Sequence, residues 1–594
     1  MVATNEGRNT NSRSKKRTQG RTTDSVADNG ARATVPTSAA VWQDSQADRR
    51  VPPPREVRGR EAARRILELA ALSETLDVRN RLRRLGMQVK GGGRDAQRMT
   101  FVEATIGECL DEAEVAASQR DRWLSCEAAT WAVGWMARTR RAGGSAGSLL
   151  ERLVRAAHAA ATSLAAGDTL PACFVLTLAR LFRDIEACRC LEDSATVAVG
   201  AEVDRLVSAA GVVNLADSAA MVERVVRWTQ FRDIASATGG ACWSDATDGR
   251  WQTAAVAALR LLGHGARAFA GASRLPACFT APLVDAMEGM GGRCRRTARA
   301  LATGAESCRR RDVLPRDLHD AEAAVAIVRS GWARDSLRVM LDYRTAVPRL
   351  EIAVGERMLV NGPWEWGVTC DGVGLEAESA WRVSGWETGR KGTFLEIAAS
   401  LGGGLQIERQ LVVLPEDRIV LLADAIVSAT AGGCVGDLRY RVALPLASSL
   451  DAEAGQEHRE VVVFDTSMRF MALPLALPEW RTAGRGVFEV AGQSLALTQE
   501  GRGGLYAPLW IDCDGSRVGG PLTWRQLTVA DTRCNIGTGQ AAGFRVQAGL
   551  RQWLLYRSLD TPRNRTLLGC NVSSGFLLGR IKRSGEVART LEID

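Results

Sequence analysis

The segment that decides the fold reads Arg349-Leu-Glu-Ile-Ala-Val-Gly-Glu-Arg-Met-Leu-Val-Asn-Gly362. One apolar run leads to a glycine and a second ends in Asn-Gly, which is the pattern of two β-strands joined by a turn. Ahead of this segment apolar residues recur every three or four positions, whereas after about Val347 they recur every two. We therefore predict helices followed by strands, with the division near Asp342–Pro348.

The first part of the chain has the apolar spacing of amphipathic helices. In Glu61–Leu85, Ile66, Leu69 and Ala70 lie on one helical face, with arginines between such positions. Similar segments are predicted near 101–118, 121–141, 148–166, 172–190, 197–212, 217–235, 251–270, 281–290, 296–310 and 318–332. Roughly ten helices with short connections indicate antiparallel hairpins, which either close into an α/α toroid or form an open solenoid.

The second part of the chain is a series of short strands broken by Gly- and Asp-rich turns. The spacing of these turns is typical of a large antiparallel β-sandwich and not of alternating βα units. The predicted strands are Leu350–Val354, Thr393–Ile397, Leu405–Leu414, Ile419–Ile426, Leu438–Leu444, Glu460–Phe464, Leu522–Val529, Gly543–Val546 and Trp553–Tyr556.

A chain of 594 residues is too long for a single core. We predict a disordered basic leader at 1–58, an α/α toroid-like helical domain at 59–345 and an antiparallel β-sandwich at 346–594. Residues 1–60 supply +6 of the net charge of +9. Their basic run Ser14-Lys-Lys-Arg-Thr18 is of the kind that binds nucleic acid. Acidic residues between the basic ones weaken its positive field, so we favour a solvated leader over a nucleic-acid partner.

The fourteen cysteines are scattered, and none forms a Cys-x-x-Cys motif. Cys188 and Cys190, the one close pair, point to different sides of a predicted helix. We expect small buried thiols in a reducing compartment, with no metal and no cofactor. An apolar signal segment and an apolar run of membrane-spanning length are both missing from the sequence, so we expect a cytoplasmic protein without a membrane contact. The sequence does not indicate an oligomeric state.

A helical toroid followed by an antiparallel sandwich resembles the heparinase II/III-like family. The segment 349–362 is similar to the first sandwich strands of that family. Gln552-Trp-Leu-Leu-Tyr-Arg-Ser-Leu559, followed by Asn564-Arg-Thr-Leu-Leu-Gly569, is similar to a bacterial branch of it. The resemblance implies a polysaccharide lyase that cleaves an acidic polysaccharide or oligosaccharide by β-elimination in the cleft between the two domains.

The sequence departs from the family where the catalytic residues are expected. The family commonly has a His-Ala-Asp-like run before the first sandwich strand, and this chain has Leu341-Asp-Tyr-Arg-Thr-Ala-Val-Pro348. The Asn-His and Tyr pair that family lyases present from the toroid also has no clear match. Family roles are therefore not transferred to residues of this chain.

Candidate catalytic residues must come from only four histidines and four tyrosines. Elimination at a uronic acid needs a base, a proton donor and a group that neutralises the carboxylate. We select His264 because glycines flank it, Tyr343 because it lies at the domain junction, and His458 as the one histidine of the predicted sandwich. Each of the three also fits a structural role. His158 and His319, in predicted helices, are expected to be structural.

Tryptophan is unusually frequent, with sixteen copies. Sugars stack on indole faces, so we predict glycan binding at Trp364 and Trp366, which share a strand face, and at Trp131 and Trp135, one helical turn apart. Core packing is the alternative for each of them. The alternative function is a non-catalytic glycan-binding or scaffold protein on the same fold.

Overall fold

The computed structural model describes residues 58–594 except 92–95, 117, 140–144, 163, 165–167, 237–241, 265–267, 271–272, 276, 304–312, 430–435, 467–468, 483 and 533. All but the last residue of the predicted leader, 1–58, thus lies outside the described residues. No helix of the described part is long and apolar enough to cross a membrane.

The first half of the described chain is helical. Its helices are α1 (Gly59–Leu72), α2 (Leu76–Lys90), α3 (Ala96–Val115), α4 (Gln119–Thr139), α5 (Ser145–Ala161), α6 (Thr169–Leu181), α7 (Glu186–Arg189), α8 (Glu192–Leu206), α9 (Ser218–Ser236), α10 (Asp245–Leu259), α11 (Ala277–Gly289) and α12 (Gly292–Thr303). Side-chain oxygens of Thr75, Asp168 and Ser244 accept backbone N–H groups at the starts of α2, α6 and α10, which fixes where these helices begin.

The helices close into a ring, which decides between the toroid and the open solenoid. Helices α1, α4, α6, α9 and α11 pack against one another in that order, and α11 returns to α1. Helices α2, α3, α5, α8, α10 and α12 pack on the outside of this ring. The inner helices α6 and α9 are buried on most sides because they contact both the ring and the outer layer.

Antiparallel strands make up the second half of the chain, after a short hairpin of β1 (Ala268–Ala270) and β2 (Ser273–Leu275) within the helical part. They are β3 (Leu318–Asp320), β4 (Val325–Arg329), β5 (Leu337–Asp342), β6 (Arg349–Val354), β7 (Arg357–Pro363), β8 (Glu365–Cys370), β9 (Val373–Leu375), β10 (Arg382–Thr388), β11 (Thr393–Leu401), β12 (Leu405–Leu414), β13 (Ile419–Ser428), β14 (Asp437–Pro445), β15 (Asp451–Ala454), β16 (Val461–Phe464), β17 (Arg469–Pro474), β18 (Gly486–Ala491), β19 (Ser494–Arg502), β20 (Leu505–Asp512), β21 (Leu522–Leu527), β22 (Ala530–Asp531), β23 (Cys534–Asn535), β24 (Ala541–Ala548), β25 (Arg551–Ser558), β26 (Arg565–Leu567), β27 (Cys570–Val572), β28 (Phe576–Ile581) and β29 (Val587–Ile593).

Strands begin earlier than the sequence pattern indicates. The helix predicted at 318–332 is wrong, because this stretch forms β3, β4 and the turn between them. The run Val325–Arg329 is buried on both faces, and a fully buried strand has a continuous apolar pattern that a helix segment can share. The change from helix to strand thus comes before residue 345, where the sequence predicts the domain boundary.

The sheets are stacked in layers. The sheet β3-β4-β5-β6-β7 lies next to the helices, and the eight-stranded sheet β10-β11-β12-β13-β20-β17-β16-β15 lies behind it. The sheet β21-β24-β25-β28-β29 covers the far face of the eight-stranded sheet, and their side chains share one core. Because both of its faces are covered, the eight-stranded sheet contains strands such as β13 that are apolar almost throughout.

The segment 349–362 forms the β6–β7 hairpin of the sheet nearest the helices. Its turn residue Gly355 has φ of 57°, and a Cβ there would lie 3.2 Å from the Arg334 carbonyl oxygen, so a residue with a side chain would be strained at this position. One face of this sheet, which includes Ile327, packs into the helical core, and the other face, which includes Leu341, packs into the sandwich core. The sheet therefore joins the two halves of the fold.

Two buried arginines of the same sheet bind the carboxyl end of α10. Arg329 donates to the carbonyl oxygens of Arg260 and Leu262 at 2.6 and 2.7 Å, and Arg338 donates to that of Leu261 at 2.7 Å. These carbonyls lack partners within the helix and carry its negative dipole end, so cations stabilise them. Burial lowers the pKa of Arg338 to about 10, which leaves it charged at neutral pH.

Candidate functional site

A histidine–tyrosine pair lies where the edges of two sheets meet. His319 is on β3, the edge strand of the sheet nearest the helices, and Tyr343 follows β5 of that sheet. The His319 Nε2 atom is 2.8 Å from the Tyr343 hydroxyl oxygen. The ring of Trp386, on the edge strand β10 of the eight-stranded sheet, is 4.9 Å from that of His319. We call His319, Tyr343 and Trp386 the edge cluster.

Burial acts in opposite directions on the two titratable groups of the edge cluster. It lowers the pKa of His319 below its ordinary value, so the imidazole is neutral at pH 7 and able to accept a proton. It raises the pKa of Tyr343, so the phenol keeps its proton. A neutral base beside a protonated hydroxyl is an arrangement suited to proton transfer.

Access to the edge cluster is uneven. Tyr343 is 2 % exposed, whereas His319 and Trp386 are half-buried. The imidazole makes a single hydrogen bond within the described part of the chain, the one to Tyr343. If Nε2 carries the proton and donates it to the Tyr343 oxygen, the Nδ1 lone pair is left available to a ligand.

Hydrogen bonds just outside the cluster hold the two sheet edges together. Asp317, two residues before His319, accepts from the hydroxyls of Thr388 and Thr393 at 2.8 Å each, and these belong to the hairpin of β10. The Tyr343 N–H donates to the Ala324 carbonyl oxygen at 2.9 Å. The relative position of His319, Tyr343 and Trp386 is therefore fixed by both sheets.

Arg344 and Ala346 occupy the place of the His-Ala-Asp-like run of the family that the sequence resembles. Arg344 binds Asp342, the Asn214 side chain and the Leu215 carbonyl oxygen, which ties this segment to the helical half. The Ala346 carbonyl oxygen accepts the indole N–H groups of Trp366 and Trp381 at 3.1 and 3.0 Å. The segment is thus occupied by structural contacts.

The three catalytic residues predicted from the sequence do not lie together. His264 follows the α10 end that the buried arginines bind, and its Nδ1 is buried without a partner among the described residues. His458 pairs with Trp480 beside the β15–β16 hairpin, at the opposite edge of the eight-stranded sheet from Trp386. Six to seven strand spacings separate those edges, on the order of 30 Å along the sheet. The structure therefore does not bring Tyr343 and His458 into one site.

Most of the tryptophans predicted to bind glycan are in the core. Trp131, Trp135 and Trp364 are 4 %, 3 % and 1 % exposed, so they present no face to a ligand, and the core-packing alternative applies to them. Trp364 stacks under Arg409, with the guanidinium carbon 4.0 Å from the ring centre. Trp366 is half-buried and stays a candidate.

His319 is the functional candidate that sequence reasoning assigned to a structural role. The cause was the helix predicted at 318–332, which placed this residue on a helix and away from Tyr343. His319 on β3 lies opposite Ala326 on β4, and Ala326 lies opposite Leu341 on β5. Opposite residues share a face of the sheet, and Tyr343 follows Leu341 by two residues on that same face. A strand assignment at 318–329 would have brought the two side chains to one face.

No group of three or more His, Cys, Asp or Glu residues in the described part of the chain is arranged to hold a metal ion. Burial raises the pKa of the Cys109, Cys126 and Cys173 thiols to about 12, which makes them unreactive at neutral pH.

Comparison with known proteins gives matches in structure and none in sequence. No family model and no curated protein matches the chain. Among solved structures, heparinase III superposes with a TM-score of 0.57 at 10 % identity over 86 % of this chain and 93 % of that one. The heparan sulfate lyase HepC from Pedobacter heparinus gives 0.51 at 12 % identity over 86 % and 91 %. This protein has the heparinase III-like fold, a helical N-terminal half followed by antiparallel β-sheets.

Proposed function

We propose that the protein is a polysaccharide lyase that cleaves an acidic glycan by β-elimination at the edge cluster. The observation that carries this proposal is the 2.8 Å contact between His319 and Tyr343. It joins the two side-chain types that this elimination uses, on a fold shared with heparinase III and with a heparan sulfate lyase.

In the proposed reaction the His319 Nδ1 accepts the C5 proton of a uronic acid residue. The electron pair of the C5–H bond forms the C4–C5 double bond as the C4–oxygen bond breaks. Tyr343 donates its proton to the departing oxygen, and the proton on His319 Nε2 passes to the tyrosine oxygen across their hydrogen bond. The Trp386 ring beside His319 offers an apolar surface for the sugar.

The test is the ultraviolet absorbance of the conjugated C4–C5 double bond during incubation with a panel of uronic-acid polysaccharides. Wild-type protein should produce a rise on at least one substrate, and His319→Ala should abolish it. His158→Ala is the matched control, because His158 is a helical histidine bonded to the Ala187 carbonyl oxygen at 3.1 Å. A rise that is unchanged in His319→Ala would refute the assignment.

A second candidate is a non-catalytic glycan-binding protein, and two features of the site favour it. Tyr343 is almost fully buried, and the neighbouring cation Arg344 already pairs with Asp342, which leaves it little capacity for a substrate carboxylate. This candidate predicts no absorbance change on any substrate, together with acidic-glycan binding that is weakened in Trp386→Ala. The absorbance assay distinguishes the two candidates, because only the lyase forms the double bond, and calorimetric titration of the folded protein with the same panel shows whether a glycan binds.

A further inference from the structure

A second concave surface lies on the sandwich, away from the edge cluster. It is a groove of about 600 Å³ between the β17–β18 connection, β19 and β21. Its volume is within the range of small-molecule sites, about 300–1,000 Å³. We call it the Trp480 groove after the residue at its rim.

Trp480 is presented to solvent by a rigid segment. Trp480 is 53 % exposed, so one part of its indole is open to a ligand in the groove. The backbone of Trp480 pairs with His458, and the Arg459 N–H donates to the Glu479 carbonyl oxygen at 2.9 Å. The His458 ring packs nearly perpendicular to the indole with centres 4.2 Å apart. The indole is thus held in position without a ligand.

The floor of the groove has a polar atom with no partner. Gln499 is 8 % exposed, and its Nε2 donates to the Tyr506 carbonyl oxygen at 2.9 Å. Its Oε1 is buried and has no hydrogen-bond partner among the described residues. Because Oε1 is closed off from solvent, Gln499 lines the groove without offering this atom to a ligand.

The charges that line the groove are balanced. Arg485 and Arg525 are exposed basic residues, and Glu479 and Glu500 are the acidic ones. Glu479 accepts from the Thr523 hydroxyl at 2.5 Å. Balanced charges with both donors and acceptors suit a ligand that has many hydroxyls and no net charge, because an acidic ligand would meet the carboxylate of Glu500.

We propose that the Trp480 groove binds an uncharged oligosaccharide. One sugar ring stacks on the exposed indole, and its hydroxyls bind the exposed side chains of Arg485 and Glu500. The groove is lined by Tyr506 of β20, which lies four strands from the β10 edge, so it is on the order of 20 Å from Trp386 along that sheet. It is therefore a separate site, and it does not depend on whether the edge cluster is catalytic.

The test is calorimetric titration of the full chain with maltohexaose, cellohexaose, mannohexaose and xylohexaose, and with a heparosan hexasaccharide as the acidic probe. At least one neutral hexasaccharide should bind with Kd below about 1 mM. Trp480→Ala should weaken it at least tenfold, and Trp480→Phe, which keeps an aromatic face, should weaken it less. Trp386→Ala should leave it unchanged.

Arg485→Ala provides a second variant that leaves the core intact, because Arg485 is exposed, and it should also weaken binding. Thermal melting would show that each variant is folded. The proposal is overturned if none of the neutral probes binds, if binding persists in folded Trp480→Ala, or if only the acidic probe binds there.

Discussion

At each of the two edges of the eight-stranded sheet a histidine packs against an aromatic ring, but the polar partners of the two histidines differ. His319 has a tyrosine hydroxyl at hydrogen-bond distance, and burial lowers its pKa. His458 has the indole of Trp480 and the Glu460 carboxylate, whose nearest oxygen is 3.9 Å away. A hydroxyl partner can exchange a proton with the imidazole. An indole ring cannot, so the contact between His458 and Trp480 only holds the indole in position. We therefore propose a chemical role for the histidine at one edge and a positioning role for the histidine at the other.

The largest expected effect is on activity at the His319 edge. Exchanging His319 for Gln removes the proton-accepting imidazole but keeps a polar side chain, and should lower kcat/KM for an acidic glycan by about 10²–10⁴-fold. The matched exchange, His458→Gln, should change it by less than twofold. Initial rates of double-bond formation measure both. Equal losses in the two variants would show that the edges do not differ in this way.

Tyr343→Phe tests whether the hydroxyl partner makes the difference. The ring stays in its buried site, and only the hydrogen bond with His319 is lost. We expect a large fall in kcat with little change in KM, and a loss of about 1 kcal/mol in the free energy of unfolding. Kinetics and urea denaturation measure the two quantities. An unchanged kcat would remove Tyr343 from the proposed reaction.

The pH dependence of the reaction should follow His319. Its pKa is lowered by burial, so the neutral, proton-accepting form persists below the ordinary histidine value of about 6.5. The rate should therefore be constant near neutrality, and kcat/KM should fall only as pH drops below about 6.5. A profile that falls already above that value would contradict this environment for His319.

At the other edge, His458→Ala should have a small effect on stability. The perpendicular contact with Trp480 contributes about 0.5–1.5 kcal/mol in such pairs. A fall in Tm of a few degrees or less is expected. Neutral-glycan binding should weaken less than in Trp480→Ala, because the indole is still present but is held less firmly. Differential scanning calorimetry measures the first effect. A strong loss of lyase activity in this variant would reverse the roles of the two edges.

The order of helices and strands could be predicted from the sequence because the apolar period changes from about 3.6 to 2. The predicted strand Leu405–Leu414 matches β12 in both bounds. The helix predicted at 318–332 is wrong because a strand that is buried on both faces, such as β4, lacks the alternation of apolar and polar residues by which a strand is recognised. Closure of the helical ring could not be predicted, since it depends on the contact between α1 and α11, which are about 200 residues apart.

The candidate site was harder to predict than the fold. Tyr343 was selected because of its position at the junction, but its partner His319 requires the register of three strands. The tryptophans were ambiguous because an indole serves equally in a core and in a binding surface, and a sequence does not give exposure. Trp480, which is exposed, has no neighbouring tryptophan in the sequence to mark it.

The most direct measurement of the central claim is a nuclear magnetic resonance titration of the four histidine rings, each assigned with a His→Gln variant. The His319 signal should titrate below about 6.5 and should shift when an acidic oligosaccharide is added. The His458 signal should instead respond to a neutral oligosaccharide. A His319 signal that titrates above that value and ignores the acidic ligand would contradict the account.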